Sequence, residues 1–143
     1  MIVLDTNVVS ELMRDVPDTR VTEWVKTQPS DALWLTALTV MEIHNGLHQR
    51  PDGIARKGLT ERYEKLASRA FGSRVLPFDE VAAKKSAELL HRQRQSGYSL
   101  SLIDSLIAGS ALAQNALLAT RDRRLLNALG AGALNPWDTS LEA

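Results

Sequence analysis

The 143-residue chain contains no cysteine. Disulfides, thiolate chemistry and cysteine-ligated zinc are therefore excluded, and a reducing, cytoplasmic setting is expected. No apolar run approaches the roughly 20 residues of a membrane helix, and the N-terminal run Ile2-Val3-Leu4 follows no basic leader. Neither a membrane contact nor a signal peptide is expected. An excess of charge is also missing: 17 basic residues balance 17 acidic ones. A chain-wide basic field of the kind that grips long duplexes is thus absent, although an acidic centre with local basic residues fits a neutral total. No Gly-x-Gly-x-x-Gly follows a strand, which disfavours a dinucleotide fold, and Gly46 and Gly53 form no phosphate loop. No Gly-x-Ser-x-Gly elbow occurs. His44 and His48 stand four apart on a predicted helix, but Glu42-Ile43-His44 is not the His-Glu-x-x-His of zinc proteases, so both read as surface histidines.

What is present is an alternation of short aliphatic runs with amphipathic stretches, of a length that suits one domain over residues 1–143. Ile2-Val3-Leu4 reads as a strand buried on both faces, stopped at Asp5-Thr6-Asn7. Asn7 is expected to cap a helix from Val8 to Met13, and Asp18 one from Thr19 to Thr27. Ala32–Leu35 predicts a second strand, followed by a helix through Glu42 to about Gln49 and another over Ile54–Phe71. Arg74–Phe78 predicts a third strand that ends at Pro77. Asp79 caps a helix over Glu80–Gln95, stopped by Gly97. Leu102–Asn115 is apolar on most sides and is placed centrally. Ala116–Ala119 predicts a fourth strand, Arg123–Leu129 a short helix, and Leu134-Asn135 an edge strand. The order implies an α/β fold: a three-layer α/β/α sandwich around a parallel sheet of four to five strands, joined by right-handed crossovers.

Four acids fall at comparable places: Asp5 ends the first strand, Glu42 enters the helix after the second, Asp104 lies in the first turn of the apolar helix, and Asp122 follows the fourth strand. Singly, each has an ordinary reading. Thr39-Val-Met-Glu42 and Ser101-Leu-Ile-Asp104 both fit a capping pattern, and Asp122 can favour the positive end of its helix. Asp5 is hardest to dismiss, because a buried strand end is a costly place for an unpaired charge. Jointly, the four can converge on one sheet edge, where like charges need protons or a cation. Oxygen-only ligands suit Mg²⁺ or Mn²⁺, the usual partner of a phosphate ester. Thr6, Asn7, Ser101 and Thr120 are small polar neighbours able to orient the acids, with capping and turn formation as their simpler role. Arg121, Arg123 and Arg124 flank Asp122 and can either hold an RNA backbone or form a solvated helix start. Trp24, Trp34 and Trp137 read as core or interface.

The stretches Ile2–Glu11, Leu38–Glu42, Arg74–Asp79, Asp104–Ala108, Ala119–Asp122 and Asn135-Pro136-Trp137 together resemble the PIN-domain ribonucleases of the VapC toxin type, in particular the FitB-like branch. The resemblance covers essentially the whole chain. It implies a PIN-like sandwich and a Mg²⁺- or Mn²⁺-dependent endoribonuclease, the toxin of a type II toxin–antitoxin pair. By motif, it places Asp5, Glu42, Asp104 and Asp122 in a catalytic, metal-holding pocket supported by Thr120 and Asn7. It also implies an RNA substrate, a homodimer, a cognate VapB- or FitA-like antitoxin, and operator DNA reached only through that antitoxin. Ile43-His44-Asn45-Gly46 departs from the Leu-Arg-x-Gly that relatives often carry, which bears on antitoxin or RNA contacts. Asp122 stands where some relatives have Asn, so this chain keeps the fuller acidic set.

Two other classes compete. A receiver-like signalling module also has an acid at a first-strand end, but it needs an early acidic pair and a Lys after a late strand, where this chain has Thr120-Arg121-Asp122. An aspartyl phosphatase wants a second Asp two residues after the first, and Asn7 stands there. A catalytically silent PIN module that only binds is a further alternative, opposed by the presence of all four acids.

Overall fold

A computed structural model describes residues 1–138. Five parallel strands form the sheet: β1 (Ile2–Leu4), β2 (Leu33–Thr36), β3 (Val75–Leu76), β4 (Leu117–Ala119) and β5 (Ala133–Leu134), in the order β3-β2-β1-β4-β5. Seven α-helices connect and cover them: α1 (Thr6–Leu12), α2 (Thr19–Thr27), α3 (Ala37–Gln49), α4 (Ile54–Leu66), α5 (Glu80–Ser96), α6 (Leu102–Ala113) and α7 (Arg123–Leu129). The expected layered α/β architecture is therefore the observed one, with the upper expected number of strands.

β1 shows why its residues suit a central strand. Successive side chains of a strand point to opposite faces, so Leu4 enters one core, with Val8, Val21, Leu35 and Phe71, while Val3 enters the other, with Leu89, Ile107 and Leu118. Both β1 residues are fully buried. At roughly 25 cal/mol per Å² of apolar surface, each such side chain contributes about 1.5–3 kcal/mol when buried. Helix α6 lies in the second core against α5, and the two backbones come very close at Gly109. A Cβ there would stand 1.9 Å from Ser86 Oγ, 2.8 Å from Ser86 N and 2.9 Å from the Ala82 carbonyl oxygen.

Several local expectations need correction. Asp5, not Asn7, caps α1: Asp5 is extended (φ −69°, ψ 157°) and its carboxylate accepts the Thr6 N–H. The helix follows the strand without a connecting loop, so the last strand-end residue takes the capping place. The same happens at α3, where Thr36 is the cap and accepts the Thr39 N–H at 3.1 Å. Thr39 lies inside the helix, and the Thr39–Glu42 capping pattern is not used. The helix expected over residues 54–71 is α-helical only to Leu66, and Ala67–Phe71 continue as a π-helical turn. The last strand is shifted one residue toward the N-terminus, because pairing with β4 aligns Leu118 with Ala133 and Ala119 with Leu134. Asp18, Asp79 and Ser101 cap their helices as expected.

All strands run in one direction, so the residues leaving β1, β2 and β4 emerge at one edge. From β1 the chain winds outward through β2 to β3 on one side, and β4 and β5 occupy the other. The crevice between β1 and β4 is thus a switch point, the place where open α/β sheets bind ligands.

Candidate active site

Asp5 occupies that crevice. It is 4% exposed, and three donors converge on it. Thr6 N–H reaches Oδ1 at 2.8 Å, and the Thr120 hydroxyl and the Asn7 amide reach Oδ2 at 2.7 and 3.0 Å. Thr120 is itself fully buried and accepts the Asp122 N–H at 3.0 Å, which leaves its only hydrogen for Asp5. Even with these donors, burial pushes the Asp5 carboxyl up to about 6, and the charges of Asp104 and Glu42 add to the effect. Asp5 is thus held where its ionised form is under-compensated.

The other acids reach the same space from separate segments. Glu42, in the second turn of α3, accepts the Thr6 hydroxyl at 2.6 Å. Asp104, in the first turn of α6, has its pKa raised by partial burial, with the Asp122 charge adding and Arg124 opposing. Asp122 caps α7 by accepting the Arg124 N–H at 2.8 Å. Asp5, Glu42, Asp104 and Asp122 all line one cleft of about 860 Å³, together with Thr6 and Asn7. The helix-capping roles of Asp5 and Asp122 are therefore real but do not compete with cleft lining: Asp122 caps through Oδ1 alone, and Asp5 Oδ1, which takes only the Thr6 N–H, keeps a further lone pair although Oδ2 is held by Thr120 and Asn7.

The remaining expected residues divide. Thr120 stands behind Asp5 rather than in the cleft. Ser101 is exposed, does not line the cleft, and spends its hydroxyl on the Asp104 N–H at 3.1 Å. Arg121 lines the cleft and lies over the Trp137 ring, its guanidinium carbon 4.8 Å from the ring centroid. Arg123 and Arg124 do not line it. His44 and His48 are exposed, His44 edge-on to Tyr63.

Sequence reasoning missed Glu11, Arg14, Arg50 and Trp137 as cleft residues. Glu11 is buried and accepts from Arg14 at 3.1 Å and from the Asp18 N–H at 3.2 Å. The i,i+3 spacing of Glu11, in the last turn of α1, and Arg14, just beyond it, was the available signal. Trp137 reaches Arg121 only through the fold.

The donor set toward the cleft is entirely oxygen, which suits a hard divalent cation. Two observations fit such an ion. Burial disfavours the Asp5 charge, which a cation would restore. Asn7 Oδ1 is buried with no hydrogen-bond partner among the described residues, so it is free to accept from an ordered water. Among the described residues no three acidic or histidine side chains form a compact ligand cluster. An ion here would take part of its coordination from water, as Mg²⁺ commonly does.

A fold and a site of this kind define an α/β protein with an acidic cleft at the carboxyl edge of a parallel sheet. The model of the PIN domain matches residues 2–130, and the chain belongs to the PIN-domain family. Within it the chain falls in the VapC- and FitB-like branch. It is 40% identical over 138 residues to a VapC ribonuclease, Y4jK, of Sinorhizobium fredii, covering 96% of this chain and 99% of that protein. It is 34% identical over 137 residues to Toxin FitB of Neisseria gonorrhoeae, with the same coverage. The solved structure of FitAB bound to an IR36 DNA fragment superposes with a TM-score of 0.86 at 34% identity, over 96% of each chain. The strand order β3-β2-β1-β4-β5 also differs from the 2-1-3-4-5 order of receiver-like proteins, which removes that alternative.

Proposed function

We propose that the cleft is the active centre of a Mg²⁺- or Mn²⁺-dependent endoribonuclease and that the chain is the toxin of a type II toxin–antitoxin pair. The observation that carries this reading is the arrival of four carboxylates, from four distant segments, in one cleft at the switch point of the sheet. The names of the relatives, a VapC ribonuclease and a toxin, point the same way.

In this reading Asp5 and Asp104 ligate the cation, with Glu42 and Asp122 completing the site directly or through water. The cation, when bound, activates water, neutralises developing phosphate charge and orients the leaving group. Thr120 and Thr6 fix the carboxylates through the hydrogen bonds described above. Among the described residues no His or Lys lines the cleft, so the proton lost by the attacking water would pass to a carboxylate oxygen. Arg121, aimed by its stack on Trp137, holds a phosphate of the RNA backbone beside the acids. Arg123 and Arg124 have the weaker claim to the backbone, and Ser101 acts only through the α6 cap.

The whole chain, residues 1–143, is taken as a single PIN domain: both cores share one sheet, and the family match runs over most of its length. A homodimer, a VapB- or FitA-like antitoxin and operator DNA reached through that antitoxin follow from the branch, in which FitAB has been solved on DNA. Cytoplasmic residence accords with the absence of cysteine, and no described helix is long and apolar enough to cross a membrane.

The test uses purified protein freed of any antitoxin, incubated with total RNA in Mg²⁺ or Mn²⁺ and in chelator. Discrete cleavage that needs the ion, and is absent from a folded Asp104→Asn variant, is the expected result. Cleavage that persists in chelator refutes the metal dependence. A folded, ion-loaded native protein that cuts no RNA refutes the nuclease and leaves a silent binding module.

A further inference from the structure

Three threonine hydroxyls run in line from the end of β2 to Glu42. Thr36 Oγ1 lies 3.4 Å from Thr39 Oγ1, which lies 3.1 Å from Thr6 Oγ1, which lies 2.6 Å from Glu42 Oε1. Thr36 and Thr39 have no exposed surface. The direction of the chain follows from its hydrogens. An ionised carboxylate only accepts, and each hydroxyl has one hydrogen to give. Thr6 gives its hydrogen to Glu42. Thr39 must therefore donate to Thr6, and Thr36 to Thr39. Thr36 is in turn supplied by the Thr39 N–H at 3.1 Å. Each hydrogen has a single placement, so the chain presents one donor, in one orientation, to Glu42.

Thr36 is explained by its place as the cap of α3. Thr39 is not. A Ser or Thr hydroxyl inside a helix commonly turns back to the carbonyl four residues before it. Thr60, Ser86, Ser105 and Ser110 all do so here, onto Arg56, Ala82, Ser101 and Leu106. Among the described residues Thr39 instead sends its hydroxyl across the sheet edge, to the first residue of α1. It thereby joins the β1–α1 junction, where Asp5 sits, to the β2–α3 helix that carries Glu42.

We propose that Thr39 is a positioning residue of the cleft: through Thr6 it holds the Glu42 carboxylate in the orientation that receives a divalent cation. The inference rests on the reading above in which Glu42 belongs to the cation site. Thr39 itself lies too deep to touch ion or RNA. Its effect passes through Thr6, whose hydroxyl without that donor is free to rotate away from Glu42. Hydrogen-bond partners of this outer kind change metal affinity by roughly 10–100-fold when removed.

The test compares Thr39→Val, which keeps the shape and removes the hydroxyl, with Thr39→Ser, which keeps the hydroxyl. Mn²⁺ affinity is read by titration calorimetry on the full chain, with thermal melting alongside. Thr39→Val is expected to weaken Mn²⁺ binding by roughly tenfold, and Thr39→Ser to stay within about twofold of native. Thr6→Val, at the cleft wall, should match Thr39→Val, and the double variant should be no worse than either single one, because both break the same chain. Thr6→Val carries the comparison if Thr39→Val does not fold. A Thr39→Val protein that melts earlier but binds Mn²⁺ as the native does has lost only packing, and overturns the inference. Failure of Thr39→Ser to restore affinity overturns it as well. A native protein that binds no Mn²⁺ overturns the cation reading and this inference together, whereas native binding with unchanged variants overturns the inference alone.

Discussion

Replacing Asp5 by Asn removes a charge while nearly keeping a shape, and the structure gives the expected sign of the effect on stability. Burial raises the Asp5 carboxyl from 3.8 to about 6. Each unit corresponds to 1.36 kcal/mol, so ionised Asp5 costs the metal-free fold about 3 kcal/mol. The native state binds the extra proton between these two values. Its stability from this group is complete below about pH 4 and is lost as the pH rises through 6. Asn carries no such cost at any of these pH values. It does bring two hydrogens to a place where the carboxylate accepts three bonds. Thr6 N–H keeps an acceptor, and a flip of the Asn7 amide turns its unpartnered Oδ1 toward the new amide. That flip breaks the 3.3 Å bond from the Asn7 amide to Thr120, whose hydroxyl also loses its acceptor, at about 1–2 kcal/mol together. Asp5→Asn should therefore be more stable than native by about 1–2 kcal/mol at pH 7.5 in chelator. That gain should vanish near pH 4, and Mn²⁺ should narrow it at pH 7.5 by binding native protein alone. Urea unfolding of both proteins at the two pH values, with nuclease activity lost in the variant, is the assay. A variant less stable than native by the same amount at both pH values would refute the reasoning, because the Asp5 charge would then carry no folding cost.

Other perturbations probe separate parts of the molecule. Gly109→Ala should destabilise by about 1–3 kcal/mol although alanine is the better helix former, because the new Cβ meets Ser86 and the Ala82 carbonyl; an unchanged melting temperature would show that α5 and α6 separate at little cost. Asp122→Asn keeps an equally good cap, so stability should stay within roughly 0.5 kcal/mol while cleavage falls by roughly tenfold or more; intact cleavage would reduce Asp122 to a cap. Arg121→Ala should leave melting unchanged, weaken RNA binding and lower its salt dependence by about one ion, and equal salt slopes for native and variant would remove Arg121 from the RNA path.

Much of the site was legible because strand ends and helix starts leave marks in sequence. Asp5 closes an aliphatic run, Asp104 opens an apolar helix, and Asp122 follows Ala119-Thr120. Alternating runs gave the layered fold for the same reason. The caps of α1 and α3 were not legible. Asp5 and Asn7, or Thr36 and Thr39, are equally good cappers, and the choice depends on whether a loop separates strand from helix. The edge strands β3 and β5 have only two residues each, so their limits are set by register with neighbours rather than by their own composition. Contacts such as Thr6–Thr39 and Arg121–Trp137 join distant segments, and no local pattern announces them. Ser101 shows the converse: its spacing to Asp104 was read correctly as a cap, but the residue does not line the cleft.

The proposed function places a divalent cation on the carboxylates of this cleft. Anomalous diffraction from manganese-soaked crystals tests it directly. A manganese peak within ligation reach of Asp5 and Asp104, lost in Asp104→Asn, is the predicted result. Manganese found only elsewhere on a protein that cleaves RNA would contradict the account.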